Sequence, residues 1–314
     1  MGTYVVGDIH GSFEEWILLK EKIEKEDSEA QFILVGDIID RGLKVFEMLM
    51  WAMKNISPDG KYQMILGNHE DMKINWLEKY FEIRRKKKNF NMYCMEPDSY
   101  DFHDMCLDKN LNDQQLREIL DFFRNLPYYK EFDIDMGNKK QHFIVVHGGL
   151  VRSCLNKDET FSKRSIADSD DEWKKYDCNK NKEEIIWKRD RYGYPWLKKT
   201  IVVHGHTTTL SSKATNSGAV PGMIHYMHKC INVDCGAVFR SEGYKKANLA
   251  AIRLEDLKEF YAYEPIGDTQ EIEEKNIKMK ARLLLSHREL AQIRRKEQSE
   301  LRKQDRKFDW DNMF

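Results

Sequence analysis

Five short segments put carboxylates, imidazoles and an amide next to glycine: Gly7-Asp8-Ile9-His10-Gly11, Gly36-Asp37-Ile38-Ile39-Asp40-Arg41-Gly42, Gly67-Asn68-His69-Glu70, His147-Gly148-Gly149-Leu150 and His204-Gly205-His206-Thr207-Thr208. Each follows an apolar run, and polar groups delivered there are costly unless something binds them. Helix capping, with Asp37 or Asp40 as the cap, explains any one segment taken alone. It does not explain the set. Together the segments offer Asp8, His10, Asp37, Asn68, His147 and one of His204 and His206. Carboxylate, imidazole and amide donors without a thiolate suit Mn²⁺, Fe or Zn²⁺ and are too rich in nitrogen for Ca²⁺ or Mg²⁺ alone. Six ligands exceed one tetrahedral site. Two cations roughly 3.5–4 Å apart, bridged by one carboxylate, account for the number and form a device for in-line displacement.

The runs that precede these segments must position them. Thr3-Tyr4-Val5-Val6, Phe32-Ile33-Leu34-Val35, Tyr62-Gln63-Met64-Ile65-Leu66, His142-Phe143-Ile144-Val145-Val146 and Ile201-Val202-Val203 read as buried strands. Ligands in open α/β sheets collect at the carboxyl ends of such strands. Asp8 and His10 flank Ile9 and so project to one side of an extended segment. The glycines after His147 read as letting the backbone pass close to a ligand. Cys230–Asp234 and Leu249–Leu254 read as a last antiparallel strand pair, which makes the sheet mixed. Helices are expected after His10, through Trp16, Leu19 and Ile23, and from Lys44 to Lys54. Residues 71–128 read as a helical insertion that ends at Leu126-Pro127-Tyr128-Tyr129. Its basic run, Arg84-Arg85-Lys86-Lys87-Lys88, reads as a solvated helix end. Residues 152–181 are polar and read as a loop or lid.

With 314 residues and a formal net charge of −1, the chain is expected to form one large α/β domain over 1–268 with a charged helical tail over 269–314. Near neutrality argues against a polyanion binder, and the tail lacks the interleaved aromatics that would favour nucleic acid. No apolar stretch approaches the ~18 residues that span a bilayer, so a cytoplasmic protein with no membrane partner is expected. The six cysteines are scattered without a C-x-x-C pair, which disfavours a zinc ribbon or a disulfide framework. The tail is expected to pack on its own domain, with partner binding or self-association through it as the alternative.

The five segments, in this order, resemble the motifs of the calcineurin-like metallophosphoesterases. Asp40-Arg41-Gly42 and Glu70 resemble the phosphoprotein phosphatase branch, which includes Ser/Thr protein phosphatases and symmetrical dinucleoside tetraphosphatases. Asn232-Val233-Asp234-Cys235-Gly236-Ala237 looks like the bacterial and phage members of that branch. The resemblance implies a sandwich of mixed β-sheets flanked by helices. It implies that Asp8 and His10 hold one metal, that Asp37 bridges, and that Asn68, His147 and His206 hold the second. His69, oriented by Asp40, would be the general acid; Arg41, Arg189 and Asn68 would contact the phosphate. His206 rather than His204 follows the family's glycine. The implied cofactors are two divalent ions, Mn²⁺ first, with Fe or Zn²⁺ as alternatives. The implied reaction is in-line attack of a metal-bridging hydroxide on a phosphoester, with a phosphorylated protein or a small phosphoester as substrate. A Ser/Thr protein phosphatase is the leading expectation and a dinucleoside polyphosphate hydrolase the alternative. A non-catalytic scaffold is disfavoured, because both the ligand set and His69 are present.

Overall fold

The computed structural model describes residues 1–87, 90, 100–137, 139–161, 178–189, 193–267, 269–285 and 289. Its first part alternates strand and helix: β1 (Thr3–Val6), α1 (Phe13–Glu26), β2 (Gln31–Leu34), α2 (Val45–Asn55) and β3 (Tyr62–Met64). Three helices follow, α3 (Asn68–Lys86), α4 (Tyr100–Asp108) and α5 (Asp113–Arg124). Then come β4 (Tyr129–Asp135), β5 (Lys140–Val146), α6 (Cys178–Trp187), β6 (Ile201–His204) and α7 (Ser212–Asn216). The chain closes with β7 (His225–Met227), β8 (Cys230–Asn232), β9 (Ala250–Arg253), β10 (Glu259–Tyr261) and α8 (Thr269–Leu284).

The strands form two five-stranded sheets, ordered β10-β9-β1-β2-β3 and β4-β5-β6-β8-β7. Both are mixed, as expected. β1, β2 and β3 run parallel, and β9 is antiparallel to both its neighbours, β1 and β10. In the other sheet β5, β6 and β8 run parallel between antiparallel β4 and β7. The expected pairing of Cys230–Asp234 with Leu249–Leu254 is incorrect. β8 pairs with β6 and β7, whereas β9 pairs with β1 and β10 in the opposite sheet. Apolar strands buried on both faces carry no signal of which sheet they join.

Strand alternation builds the layers. Val5, Ile33 and Val35 point between the sheets and meet Phe143, Val145, Ile201, Val203 and Ile231. Tyr4, Val6, Phe32 and Leu34 point the other way, against Trp16, Leu19 and Ile23 of α1 and Met48, Leu49 and Ala52 of α2. Ile144, Val146 and Val202 face a third cluster with Leu150, Ile185 and Leu197. A helix–sheet–sheet sandwich of this kind leaves the carboxyl ends of β1, β2, β5, β6 and β8 close together.

The described part of 71–128 carries three helices, with one difference of consequence. Its first helix begins at Asn68, so Asn68, His69 and Glu70 lie on the first turn of α3 rather than in a loop. Glu70 makes this possible by turning back to accept the N–H groups of Gly67 (3.1 Å), Asp37 (2.8 Å) and Ile38 (2.9 Å). The tail, over its described part, packs on its own domain. Leu283 is buried with the inter-sheet core. Lys229 and Lys139 donate to the last carbonyls of α8, Leu283 O (3.0 Å) and Leu284 O (2.8 Å), where the helix dipole favours cations. Residues 290–314 and most of the 152–181 loop lie outside the described residues. Among those described, no helix is long and apolar enough to cross a membrane.

Candidate metal and phosphate site

Asp37 is the centre on which the five segments converge. It leaves β2 with φ 51°, a left-handed conformation that costs a non-glycine residue about 1 kcal/mol and is held only by its surroundings. Its Oδ1 accepts the N–H of His69 (2.9 Å), which turns Oδ2 towards three imidazoles. His147 Nε2 lies 3.3 Å away, His10 Nε2 3.5 Å and His69 Nε2 3.9 Å. His10, Asp40, Arg41 and His206 share the left-handed conformation, with φ of 45°, 64°, 68° and 64°.

Two of the candidate imidazoles are oriented by a bond to a backbone carbonyl. His10 donates Nδ1–H to Ile39 O (2.7 Å), and His147 donates Nδ1–H to Val35 O (2.8 Å). Both rings thereby aim Nε2 inward, the arrangement by which backbone carbonyls fix a metal-binding tautomer. Asn68 Oδ1 sits 2.9 Å from His147 Nε2. Two groups result whose donor atoms lie within 4.8 Å of one another: His10, Asp37 and His69, and Asp37, His147 and His206. They share Asp37, as a bridging carboxylate would.

The donor chemistry fits a pair of cations. Burial pushes His10 down to about 3 and His206 down to about 2, so both rings are neutral and free to ligate. His206 Nε2 is buried with no hydrogen-bond partner, a cost that a cation would remove. Asp37 stays well below the usual carboxylate range despite its burial, because His147 and the other histidines surround it. His147 rises to about 10, since Asp37 and Asp8 outweigh burial. A cation on Nε2 would take the place of that proton.

Not every expected residue falls where the motif reading put it. Asp8 is buried beside the cluster, but both its oxygens accept the N–H of His206, at 3.1 and 3.0 Å. Gly205 is required by this contact, because a Cβ there would stand 2.0 Å from Asp8 Oδ1. His69, expected to be an acid and not a ligand, occupies the place in the His10 group that was expected for Asp8. His204 stays outside both groups and contacts Gly205 O through Nδ1 (2.9 Å). After His147, Gly148 has a packing role instead of the expected ligand approach. Gly148 and Gly149 both donate to Ile185 O, and a Cβ on Gly148 would meet Ile186 O at 2.5 Å.

The groups expected to handle phosphate and proton lie together. His69 donates Nδ1–H to Asp40 Oδ2 at 2.6 Å. Burial would raise Asp40, but the His69 bond and the charge of Lys73 hold it below the usual range. Arg41 spreads its fork over the inward nitrogens, Nη1 to His10 Nε2 and Nη2 to His69 Nε2, both 3.0 Å. Arg189 Nη1 donates to His206 O (3.1 Å).

Three neighbours escaped the sequence reading. Lys73 reaches Asp40 Oδ2 at 3.1 Å. Asp101, at the start of α4, accepts the backbone N–H of Arg41 (2.9 Å). Asp234, where β8 ends, is buried, accepts the N–H of Gly236 (3.0 Å) and is pushed up to about 6 by burial. Asp234 could have been found by the same strand-then-carboxylate signal that singled out Asp8 and Asp37.

A carboxylate shared by two sets of hard and borderline donors, with an arginine fork and a His–Asp pair alongside, has the parts needed to stabilise a phosphoryl group and protonate what leaves it. That is the working apparatus of a metal-dependent phosphoesterase. The family model for calcineurin-like phosphoesterases matches residues 1–229, and the chain belongs to that family. Among curated proteins it is similar to the symmetrical bis(5'-nucleosyl)-tetraphosphatase of Buchnera aphidicola subsp. Baizongia pistaciae, with 37% identity over 89 residues, 28% of this chain and 30% of that one. It is also similar to that of Pasteurella multocida, with 26% identity over 150 residues, 48% of this chain and 45% of that one. The chain thus spans less than half the length of these relatives. Among solved structures, a metallophosphoesterase from Sphaerobacter thermophilus superposes with a TM-score of 0.44 at 15% identity, covering 90% of this chain and 98% of that one.

Proposed function

We propose that the chain hydrolyses dinucleoside polyphosphates of the diadenosine tetraphosphate class, splitting them symmetrically, at a centre held by Asp8, His10, Asp37, Asn68, His147 and His206. The observation that carries the substrate class is the similarity to curated relatives that are named symmetrical bis(5'-nucleosyl)-tetraphosphatases. The alternative weighed in the sequence thus moves ahead of the phosphoprotein reading. The latter leaned on His147-Gly148-Gly149-Leu150, whose Gly148 makes room for the end of α6.

Two divalent cations, Mn²⁺ in our reading, would supply an activated water and neutralise phosphoryl charge. The chain's own residues do the rest. Arg41 turns its fork from the two histidine nitrogens to the phosphoryl oxygens, a geometry that Arg matches in bidentate fashion. Arg189 and the amide of Asn68 add donors from two other elements. His69, held at Nδ1 by Asp40, gives a proton from Nε2 to the departing phosphate oxygen.

The test is a parallel assay of the Mn²⁺-treated protein on diadenosine tetraphosphate and on a phosphoserine peptide, with nucleotides resolved by chromatography. ADP as the sole nucleotide product, at a kcat/KM at least tenfold above that for the peptide, is expected. A preference for the peptide, or release of AMP with ATP, overturns the proposal.

A further inference from the structure

Lys73 is wholly enclosed, with no measurable exposure of its side chain. It lies one helical turn beyond His69 on α3, so the two side chains share a face. Both reach the same atom. His69 Nδ1 stands 2.6 Å and Lys73 Nζ 3.1 Å from Asp40 Oδ2. On its other side Nζ lies 5.7 Å from the centroid of Phe102 in α4, itself fully buried. Burying an ammonium is a poor way to add stability, because a well-packed apolar residue of similar volume is often as good or better. An ammonium placed here nevertheless holds the carboxylate that orients the proton-donating ring.

We propose that Lys73 is a positioning residue for protonation of the leaving group: it pins the Asp40 carboxylate, and Asp40 in turn holds His69 by Nδ1 with Nε2 turned to the site. This rests on the reading of His69 as the proton donor. Asp40 is offered by a loop with two successive left-handed residues, φ 64° and 68°, whereas His69 and Lys73 come from one rigid helix. Two contacts from that helix converge on one oxygen and tie the carboxylate to the element that carries His69. The insertion supplies the lid, through Phe102, that keeps the pair dry.

The experiment uses the full chain carrying H69N, K73M, K73Q, D40N and the doubles H69N/K73M and D40N/K73M, each checked for two metal equivalents. Phenyl phosphate and 2,4-dinitrophenyl phosphate are compared, since only the first needs a proton on its leaving oxygen. H69N is expected to slow phenyl phosphate about 100-fold or more, and K73M about 10-fold or more. K73M should keep the dinitrophenyl ester within about threefold, H69N should lose at least tenfold less on that ester than on phenyl phosphate, and H69N/K73M should be no slower than H69N because the two act in series. K73Q, which keeps a donor for Asp40, should recover part of the K73M loss.

A second readout needs neither metal nor substrate. In the metal-free protein K73M leaves a buried carboxylate short of its cation, and the folding equilibrium constant from urea titration should fall roughly a hundredfold or more. D40N/K73M should recover most of that fall, so the pair is tested even where K73M folds poorly. If H69N slows both esters alike, the acid reading fails and the inference falls with it. If H69N discriminates between the esters but K73M does not, or the double loses the product of both single losses, the inference alone is wrong.

Discussion

Replacing His206 and His204 in turn is the sharpest test of the metal centre, because two histidines one residue apart have opposite assignments. The His206 ring joins the group with Asp37 and His147, and its Nε2 is buried without a hydrogen-bond partner. Its backbone N–H, not its ring, holds Asp8. His206→Ala therefore removes one ligand atom while leaving the bond that shapes the turn. Loss of an outer-shell partner typically costs 10–100-fold in metal affinity; loss of a ligand should exceed the upper end of that range and empty one of two positions at micromolar Mn²⁺. Activity should fall by three orders of magnitude or more. His206→Gly relieves the φ of 64° without restoring the ring and should lose the metal equally, which separates ligation from strain. His204 is also buried and neutral, lowered to about 4 by burial, but its ring lies outside both donor groups. His204→Ala should keep two equivalents and lose at most about 10–100-fold, the size of an outer-shell effect. Mass-spectrometric metal analysis after equilibration, beside steady-state rates, measures both. One equivalent in His204→Ala and two in His206→Ala would show that the donor set is misassigned.

The bridging role proposed for Asp37 predicts that Asp37→Asn is the most damaging of the ligand changes, losing both metals and over 10³-fold in rate; chelated wild-type protein should regain activity best with Mn²⁺, and full activity in excess chelator would refute a metal-dependent centre. Since His147 is held protonated up to about pH 10 by Asp37 and Asp8 and must lose that proton to ligate, metal affinity should rise with pH. About tenfold per unit from pH 6 to 9, with at least one proton released per cation in calorimetry run in two buffers, is expected; a flat profile contradicts the assignment. Asp101 accepts the backbone N–H of Arg41, so Asp101→Ala should raise KM a few-fold with kcat nearly unchanged. Asp101→Asn, which keeps an acceptor oxygen, should stay within twofold of wild type; tighter substrate binding in Asp101→Asn would point to charge repulsion instead.

The strand ends were legible because chemistry and periodicity coincided there. Val5 and Val6, or Ile33 and Leu34, face opposite layers, and the polar residues that follow have no layer to enter. What the sequence could not display was partnership across distance. Cys230-Ile231-Asn232 and Ala250-Ala251-Ile252 are both fully buried, and only three-dimensional packing sends them to different sheets. Lys73 looked like any helical lysine, since its enclosure depends on α4 closing over it. Asp8 showed the converse limit: its motif pointed to the strand end, but its bond to the His206 N–H links residues 198 apart. The basic run gave a modest outcome. Arg84 pairs with Asp113 at 2.5 Å and Lys86 with Glu82 at 2.5 Å, partners within the insertion itself.

The five left-handed residues of the site carry a consequence for anyone who evolves or engineers this chain. His10, Asp37, Asp40, Arg41 and His206 each sit in a conformation that a glycine or asparagine would adopt more comfortably. Relief at any one of them is worth on the order of 1 kcal/mol, against a whole-domain margin of roughly 5–15 kcal/mol. A library sorted only by heat resistance would therefore drift towards glycine and asparagine at these positions, enriching sturdier folds that have lost their chemistry. Thermal shift and turnover must be screened together, because in this active site the same backbone angles oppose the one and create the other.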